Sequence, residues 1–498
     1  MANQYLYGAS VQGIQSFIFQ TSKLREIIGA SELVESICTS LFKNNVESFD
    51  DNNLIVGAAG NIKYLFDSQE NCQALVQIFP KLVAEHAPGI TISQAVVVVS
   101  ENTTLNKAID ELEINLKIQR NKPRHPFEIG FMGLARSRRT GGVGQTSEKG
   151  EIICEATSKK LDKSKSNQLF QKISGIAILD IKSERLAREI NEISGSVKPW
   201  IAVIHADGNS VGSKIMELSA KLQDDRFKDA FRRFSRALQK STELAAQAAF
   251  AHLAISDYPK YPLRPIILGG DDITIIIRAD LALKYAVEYL TVFESETKIQ
   301  LAFMKEEYGV DIFQNGMTAC AGIAYVKKAY PLHYALDLAN KLCQKAKNKS
   351  KDQMTTAPSA LSFYKVQESF VDADIETLTN RTLVSKSINF DFGPYLLKQH
   401  TEYHTTVPVL LEKLDYLRTQ EKSKEEGKAA SKLRQLITEL QKDNYSASFM
   451  IDRIGELQGN LHQQFQMGEL KVQNGESAPK SIIYDVIQLL SFESLEQK

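Results

Sequence analysis

The stretch Pro265-Ile-Ile-Leu-Gly-Gly-Asp-Asp-Ile-Thr-Ile-Ile-Ile277 constrains the fold of this chain more than any other. Two apolar, β-branched runs flank Gly269-Gly270-Asp271-Asp272, the pattern of a β-hairpin with glycines at its tip. Side chains alternate across a strand, so Asp271 and Asp272 are expected on opposite faces, at least one of them against a packed side. An ionised carboxylate there is costly unless a cation or hydrogen-bond donors neutralise it. A divalent metal does so directly, and the glycines let a metal or phosphate approach the backbone closely. The plain alternative is an ordinary Gly-Asp turn, and a third carboxylate argues against it.

That carboxylate is Asp207, in Trp200-Ile-Ala-Val-Ile-His-Ala-Asp-Gly-Asn-Ser-Val-Gly212, where an apolar strand ends in Asp-Gly-Asn and a long helical stretch follows. In a split β-α-β unit the first two strands run parallel, with the third inserted antiparallel between them. The end of strand one and the tip of the next hairpin then share one sheet edge. Asp207, Asp271 and Asp272 are thereby expected around one metal cluster.

The same order of elements occurs twice. Residues 5–10 read as a strand, and 12–42 as one or two helices broken near Gly29-Ala-Ser31, with Ser31 as a cap. Residues 53–66 form a hairpin with a Gly57-Ala-Ala-Gly60 tip, 68–86 an amphipathic helix and 90–98 a strand. The second pass has a strand at 200–205, helix over 213–256, the hairpin at 265–278, helix over 280–308, a strand at 317–326 and a helix at 332–347. Each is a β-α-β-β-α-β unit. The expected architecture is α+β: two ferredoxin-like palm domains followed by a C-terminal helical domain. Residues 1–125 are the palm without carboxylates, 126–195 a linker, 196–360 the palm with the aspartates, and 361–498 helices, chiefly 403–420, 424–442 and 446–466. Within the linker, Arg136 to Gly150 lacks apolar periodicity and reads as an exposed loop. Its basic cluster suits RNA or phosphate as well as plain solvation. Residues 421–428 mix both charge signs and read as a solvated turn.

Composition bounds the partners. Lys+Arg and Asp+Glu each number 60, so no global field for a polyanion exists, although local basic patches remain open. The five cysteines are scattered, with no Cys-x-x-Cys, which argues for a reducing interior and against a disulfide framework or cysteine zinc site. The start of the chain has no charged-then-apolar signal and no run of 18 apolar residues occurs. The expected location is the cytoplasm, with no membrane partner.

Several of these stretches together resemble the large polymerase-like, two-palm subunit of type III CRISPR effector complexes. Gly8-Ala-Ser-Val-Gln-Gly-Ile-Gln-Ser-Phe-Ile-Phe19 and Ser22-Lys-Leu-Arg-Glu-Ile-Ile-Gly-Ala-Ser31 are similar to its first palm. Ala206-Asp-Gly-Asn-Ser-Val-Gly212 and Leu268-Gly-Gly-Asp-Asp272 are similar to its catalytic palm. Ala321-Gly-Ile-Ala324 and Ala339-Asn-Lys-Leu-Cys-Gln-Lys-Ala-Lys347 resemble the closing strand and helix of that palm and of GGDEF-type diguanylate cyclases. The resemblance implies an enzyme that joins ATP into short or cyclic oligoadenylate messengers. It assigns Asp207, Asp271 and Asp272 to catalysis and metal binding, and the Gly208 carbonyl to the metal. Asn209, Gly269, Gly270 and Lys347 fall to the nucleotide. It further implies nucleoside triphosphates as ligands, with guide RNA and other effector subunits, or a second copy in a homodimer, as partners. No His-Asp dipeptide occurs and the linker has only Cys154, so a short form without the family's nuclease domain and zinc knuckle is expected.

The chemistry stands beside the name. Joining nucleotides means attack of a sugar hydroxyl on an α-phosphorus with loss of pyrophosphate, and two metals stabilise both the attacking and the leaving oxygen. An all-aspartate site suits two Mg²⁺ or Mn²⁺ ions. Lys341, Lys345 and Lys347 lie on the last helix of the unit, the first two on what reads as a solvated face. His205 reads as a packed histidine rather than a base. Two other readings stand: a nucleotide- or RNA-binding scaffold without turnover, which has no need of three aspartates, and a diguanylate cyclase, which usually carries Glu where Asp272 stands.

Overall fold

A computed structural model describes residues 3–58, 60–100, 104–122, 131–194, 199–256, 258–353, 357–368, 374–399, 405–422, 429–471 and 478–493. Strands β1 (Gln4–Gln12), β2 (Leu54–Ala58), β3 (Asn61–Phe66) and β4 (Thr91–Val99) form a sheet in the order β2-β3-β1-β4, every neighbour antiparallel. Helix Leu24–Ser36 joins β1 to β2, and helix Gln69–His86, capped by Ser68, joins β3 to β4. This is the β-α-β-β-α-β unit expected of the N-terminal region.

The break expected at Gly29-Ala-Ser31 is absent. The helix runs through it and continues by a π-helical turn, Ile37–Leu41, into Phe42–Asn45. Ser31 is no cap; its buried hydroxyl donates to the Ile27 carbonyl at 3.0 Å. Gly29 is there for another helix, because a Cβ on it would stand 1.7 Å from the Lys160 carbonyl oxygen. Close approach of two backbones, not a turn, requires this glycine.

The loop expected over 136–150 is partly a hairpin, β5 (Gly144–Glu148) with β6 (Glu151–Cys154). Its turn places Lys149 and Gly150 at positive φ, the signature of a tight two-residue hairpin. Arg139 is ion-paired to Glu26 and Glu151, so part of the basic cluster is consumed in fixing the linker to the first unit. Strands without apolar alternation left no periodicity to read.

The second sheet contains β7 (Trp200–Gly208), β8 (Leu263–Gly269), β9 (Asp272–Arg278) and β10 (Ala319–Lys327), ordered β10-β7-β9-β8 and antiparallel throughout. It repeats the order of the first. Two further strands extend it beyond β10: β11 (Ala360–Lys365), parallel to β10, and the short β12 (Tyr395–Leu396). The boundary expected between 360 and 361 therefore falls inside a strand. The helix expected over 213–256 is two, Val211–Lys221 and Asp224–His252, and that over 280–308 is Ala279–Gln300 with Phe303–Tyr308.

Helix Asp224–His252 ties the two units together. Lys228 donates to the Asn53 side chain at 3.3 Å, Arg232 to that of Asn52 at 2.7 Å, and Arg236 to the Asp51 carbonyl at 2.8 Å. The C-terminal region is mainly helical: Val407–Lys422, Ala429–Lys442, Asn444–Leu457, Gly459–Gln464 and Ile483–Leu490. Residues 403–404 and 423–428, expected as helix start and solvated turn, lie outside the described residues. Among the described residues no helix is long and apolar enough to cross a membrane.

Candidate active site

Strand β7 carries Asp207 near its C-terminal end, while the β8–β9 hairpin carries Asp271 in its turn and Asp272 as the first residue of β9. Ala206 stands opposite Ile273, so the register brings Asp207 to the level of the tip. One carboxylate oxygen from each of the three aspartates lies within 4.8 Å of the others. Asp271 and Asp272 do not point to opposite faces. Gly270, at φ +62, bends the backbone before β9 begins, so strand alternation governs Asp272 and not Asp271.

Three half-buried carboxylates at this separation cannot all ionise at ordinary cost. Burial, followed by the negative charge of Asp207, pushes Asp271 up to about 7. Burial also raises Asp272 well above the carboxylate range, reinforced by its hydrogen bond to Asp207. Burial acts the same way on Asp207, but the hydrogen bond from Asp272 and the Lys347 ammonium outweigh it and hold that carboxyl low. The set has more negative charge than its surroundings neutralise, and every donor is a hard oxygen. A divalent cation of the magnesium type fits both properties.

Lys347 projects from helix Leu332–Gln353, is only 8% exposed, pairs with Asp207 and donates to the Gly208 carbonyl at 2.9 Å. Gly208 is tight: a Cβ there would stand 2.8 Å from an Asp271 oxygen. Lys345, expected on a solvated face, instead has its side chain largely covered and pairs with Asp391 at 2.6 Å, because β11 packs against that helix. Lys341 does sit on an open face, paired to Asp337 one turn back. Asn209 is turned into the fold, its amide donating to Thr318 Oγ1 at 3.0 Å and the Pro358 carbonyl at 3.3 Å. It braces the edge rather than facing the cleft. His205 is held by Thr274 Oγ1 at 3.0 Å, and burial lowers it to about 4, leaving a neutral ring.

Gly269, Gly270, Asp271 and Asp272 open onto a cleft of about 1000 Å³ whose other wall includes Gly57, Ala58 and Asn61 of the first sheet. The hairpin registers give a residue-by-residue correspondence between the two tips. Ala58 pairs with Asn61 and Gly269 with Asp272, each closing two residues. Gly60 therefore corresponds to Asp271 and Asn61 to Asp272, one position along from the comparison that Gly57-Ala-Ala-Gly60 suggests. Ser10, opposite Asn61, corresponds to Asp207. The first unit carries a hydroxyl, a glycine and an amide where the second carries three carboxylates; Ala59 lies outside the described residues.

Thr242 was not legible in the sequence as part of this site. Buried on helix Asp224–His252, it donates to the Gly270 carbonyl at 2.7 Å and fixes the tip from behind. No local motif marks it, since helix and hairpin meet only in three dimensions.

A split β-α-β-β-α-β sheet in this strand order is a palm-type unit, and this chain has two, one of them with three carboxylates converging at one edge. Residues 200–355 match the family model described as Cas10/Cmr2, second palm domain. The resemblance read from the motifs holds for that segment, which is similar to a second palm domain of that family. Over 99% of its length the chain shares its fold with the Csm1–Csm4 cassette solved with pppApApA (TM-score 0.55, 12% identity) and with cA3 (0.54, 14%). The same holds for the apo cassette (0.51, 12%). The aligned part covers 69, 70 and 70% of those chains, and 62% of the chain in a cA4 complex of the same cassette. No curated protein matches the sequence.

Proposed function

We propose that the chain is a nucleotidyltransferase that joins ATP into cyclic or short linear oligoadenylates at the second palm. It acts in the cytoplasm as part of a CRISPR-type antiviral system. The observation that carries this reading is the approach of Asp207, Asp271 and Asp272 to within 4.8 Å, two of them, Asp271 and Asp272, lining a two-palm cleft. Two of the structures of like fold hold adenosine oligonucleotides, pppApApA and cA3, which supports adenosine as the base.

Asp207, Asp271, Asp272 and the Gly208 carbonyl would hold two Mg²⁺ or Mn²⁺ ions. When bound, such ions activate the attacking hydroxyl and stabilise the leaving pyrophosphate. The chain's own residues do the rest. Gly269 and Gly270 leave the tip open for a triphosphate, and Lys347 supplies a positive charge beside Asp207. The first palm forms the opposite wall without a metal set of its own, and seats the second nucleotide. A cleft of about 1000 Å³ is at the top of the ~300–1,000 Å³ range of small-molecule sites, room for two nucleotides and not for a duplex. A Csm4-like subunit is an expected partner by analogy with the cassettes of like fold, and guide RNA is one that the motif resemblance implies; a homodimer is the other arrangement to test.

The test is incubation of pure protein with each nucleoside triphosphate and Mg²⁺ or Mn²⁺, with products identified by mass spectrometry. ATP alone should release pyrophosphate and yield oligoadenylates, phosphatase-resistant where cyclic. Asp271→Ala/Asp272→Ala should lower turnover at least 1000-fold with the fold intact. Unchanged turnover in that variant, turnover only with GTP, or long templated products would refute the assignment.

A further inference from the structure

A second cleft, of about 820 Å³, lies at the other end of the second palm. Strand β10 runs from Ala319, beside Gly208, to Lys327, beside Trp200, which separates the two ends of the sheet by roughly 26 Å at ~3.3 Å per residue. The cleft begins where β10 ends. Its walls come mainly from four parts of the chain: the segment entering helix Leu24–Ser36, the β5–β6 hairpin of the linker, the stretch 188–191 later in the linker, and the turn between β10 and helix Leu332–Gln353.

Its charge is unlike that of the rest of the molecule. Lys23, Arg25, Arg139, Lys149, Arg188 and Lys328 line it against Glu26, Glu148 and Glu189. Internal pairing accounts for part of this, since Arg139 meets Glu26 and Arg25 lies 3.7 Å from Glu148. Lys23, Lys149, Arg188 and Lys328 have no carboxylate within ion-pair distance among the described residues, and Glu189 is the one lining carboxylate left to face them. The chain as a whole has no net charge, so this surplus is local. The aspartate cleft has no comparable cationic surplus, with five carboxyl groups against four cations among its lining residues. A concave, low-dielectric wall focuses such a surplus outward. Tyr330 and His333 on the same wall offer rings on which bases can stack.

We infer that this cleft is a binding site for single-stranded nucleic acid, held by its phosphates on Lys23, Lys149, Arg188 and Lys328. A lone phosphate or mononucleotide calls for cations converging on one point, whereas these come from four separate segments around a cleft of several hundred Å³. A strand places a charge at every nucleotide and meets such a distribution. The site is separate from the aspartates, so this inference stands or falls independently of the proposed chemistry.

The experiment is fluorescence anisotropy of the full chain with a labelled 12-nucleotide single-stranded RNA across a salt series. Each phosphate neutralised on a single strand contributes about −0.7 to the slope of log K against log salt. Arg188→Glu/Lys328→Glu should weaken binding at least 10-fold at about 0.1 M salt and reduce the slope by about 1.4. The matched control, Lys117→Glu/Arg120→Glu, changes two exposed cations on helix Leu105–Arg120 and should bind as the wild type does. All four positions are exposed, so these variants fold. Wild-type affinity in the cleft variant, or an equal loss in the control, would overturn the site. Displacement of the strand by equimolar ATP would also overturn it, since that identifies a mononucleotide site.

Discussion

Asp271 shows how one residue's role depends on its backbone. The Gly-Gly-Asp-Asp run announces a hairpin with acidic residues, but strand logic assigns Asp271 to the face opposite Asp272. The positive φ of Gly270 puts it in the turn instead, where it joins the cluster. Thr242 is what keeps that turn in place. Replacing it with Val leaves the half-buried Gly270 carbonyl without its donor, at a cost of about 0.5–1.5 kcal/mol for one lost hydrogen bond. Thr242→Val should weaken Mn²⁺ binding, measured by calorimetry without nucleotide, and lower turnover, whereas Thr242→Ser should restore both. Equal behaviour of Val and Ser would assign the loss to packing rather than to the hydroxyl.

At the scale of elements, helix Leu332–Gln353 decides whether Lys347 reaches Asp207. It lies so close on β10 that a Cβ at Gly322 would stand 2.0 Å from the Ala339 carbonyl and 2.4 Å from the Cys343 nitrogen. Gly322→Ala must lift the helix off the sheet, an overpacking cost of about 1–3 kcal/mol. The expected outcome is a folded protein of lower melting temperature with turnover reduced at least tenfold, as Lys347 moves with the helix. Full activity in this variant would mean that Lys347 is not needed at its present position. The motif Ala321-Gly-Ile-Ala324 was visible in the sequence, but its reason was not, because the helix that imposes it arrives only on folding.

The whole molecule is closed by contacts that no local pattern carries. Asp485, on helix Ile483–Leu490, accepts from the Tyr395 hydroxyl at 2.5 Å and so joins the C-terminal helices to the extended second sheet. Burial raises its carboxyl from 3.8 to about 7; the Tyr395 hydrogen bond opposes this, and the nearby Asp391 charge adds to it. A folded pKa above the unfolded one means that the stabilisation is fully present below about 4 and is lost as pH rises through about 7. Wild-type melting temperature should therefore fall between pH 5 and pH 8. Asp485→Asn should be flatter over that interval, and an identical slope in the two proteins would show that another group is responsible.

The sequence by itself determined the two β-α-β-β-α-β units and the candidate acidic residues. Hydrophobic periodicity and turn chemistry are local, and the order strand-Asp, helix, Gly-Gly-Asp-Asp fixes which sheet edge the aspartates share. It did not determine the continuity of helix Leu24–Ser36 through Gly29, the hairpin in the linker, or the extension of the second sheet by β11 and β12. Nor did it reveal the burial of Lys345, the role of Thr242 or the basic cleft. Each of these depends on which backbone or side chain arrives from far along the chain. Gly29 and Gly322 look like helix and strand defects until a partner backbone is seen against them. Four scattered cations become one surface only when four separate segments meet. Local preference is set by a residue and its neighbours in sequence, whereas close approach, desolvation and charge surplus are set by neighbours in space, and only the tertiary structure supplies those.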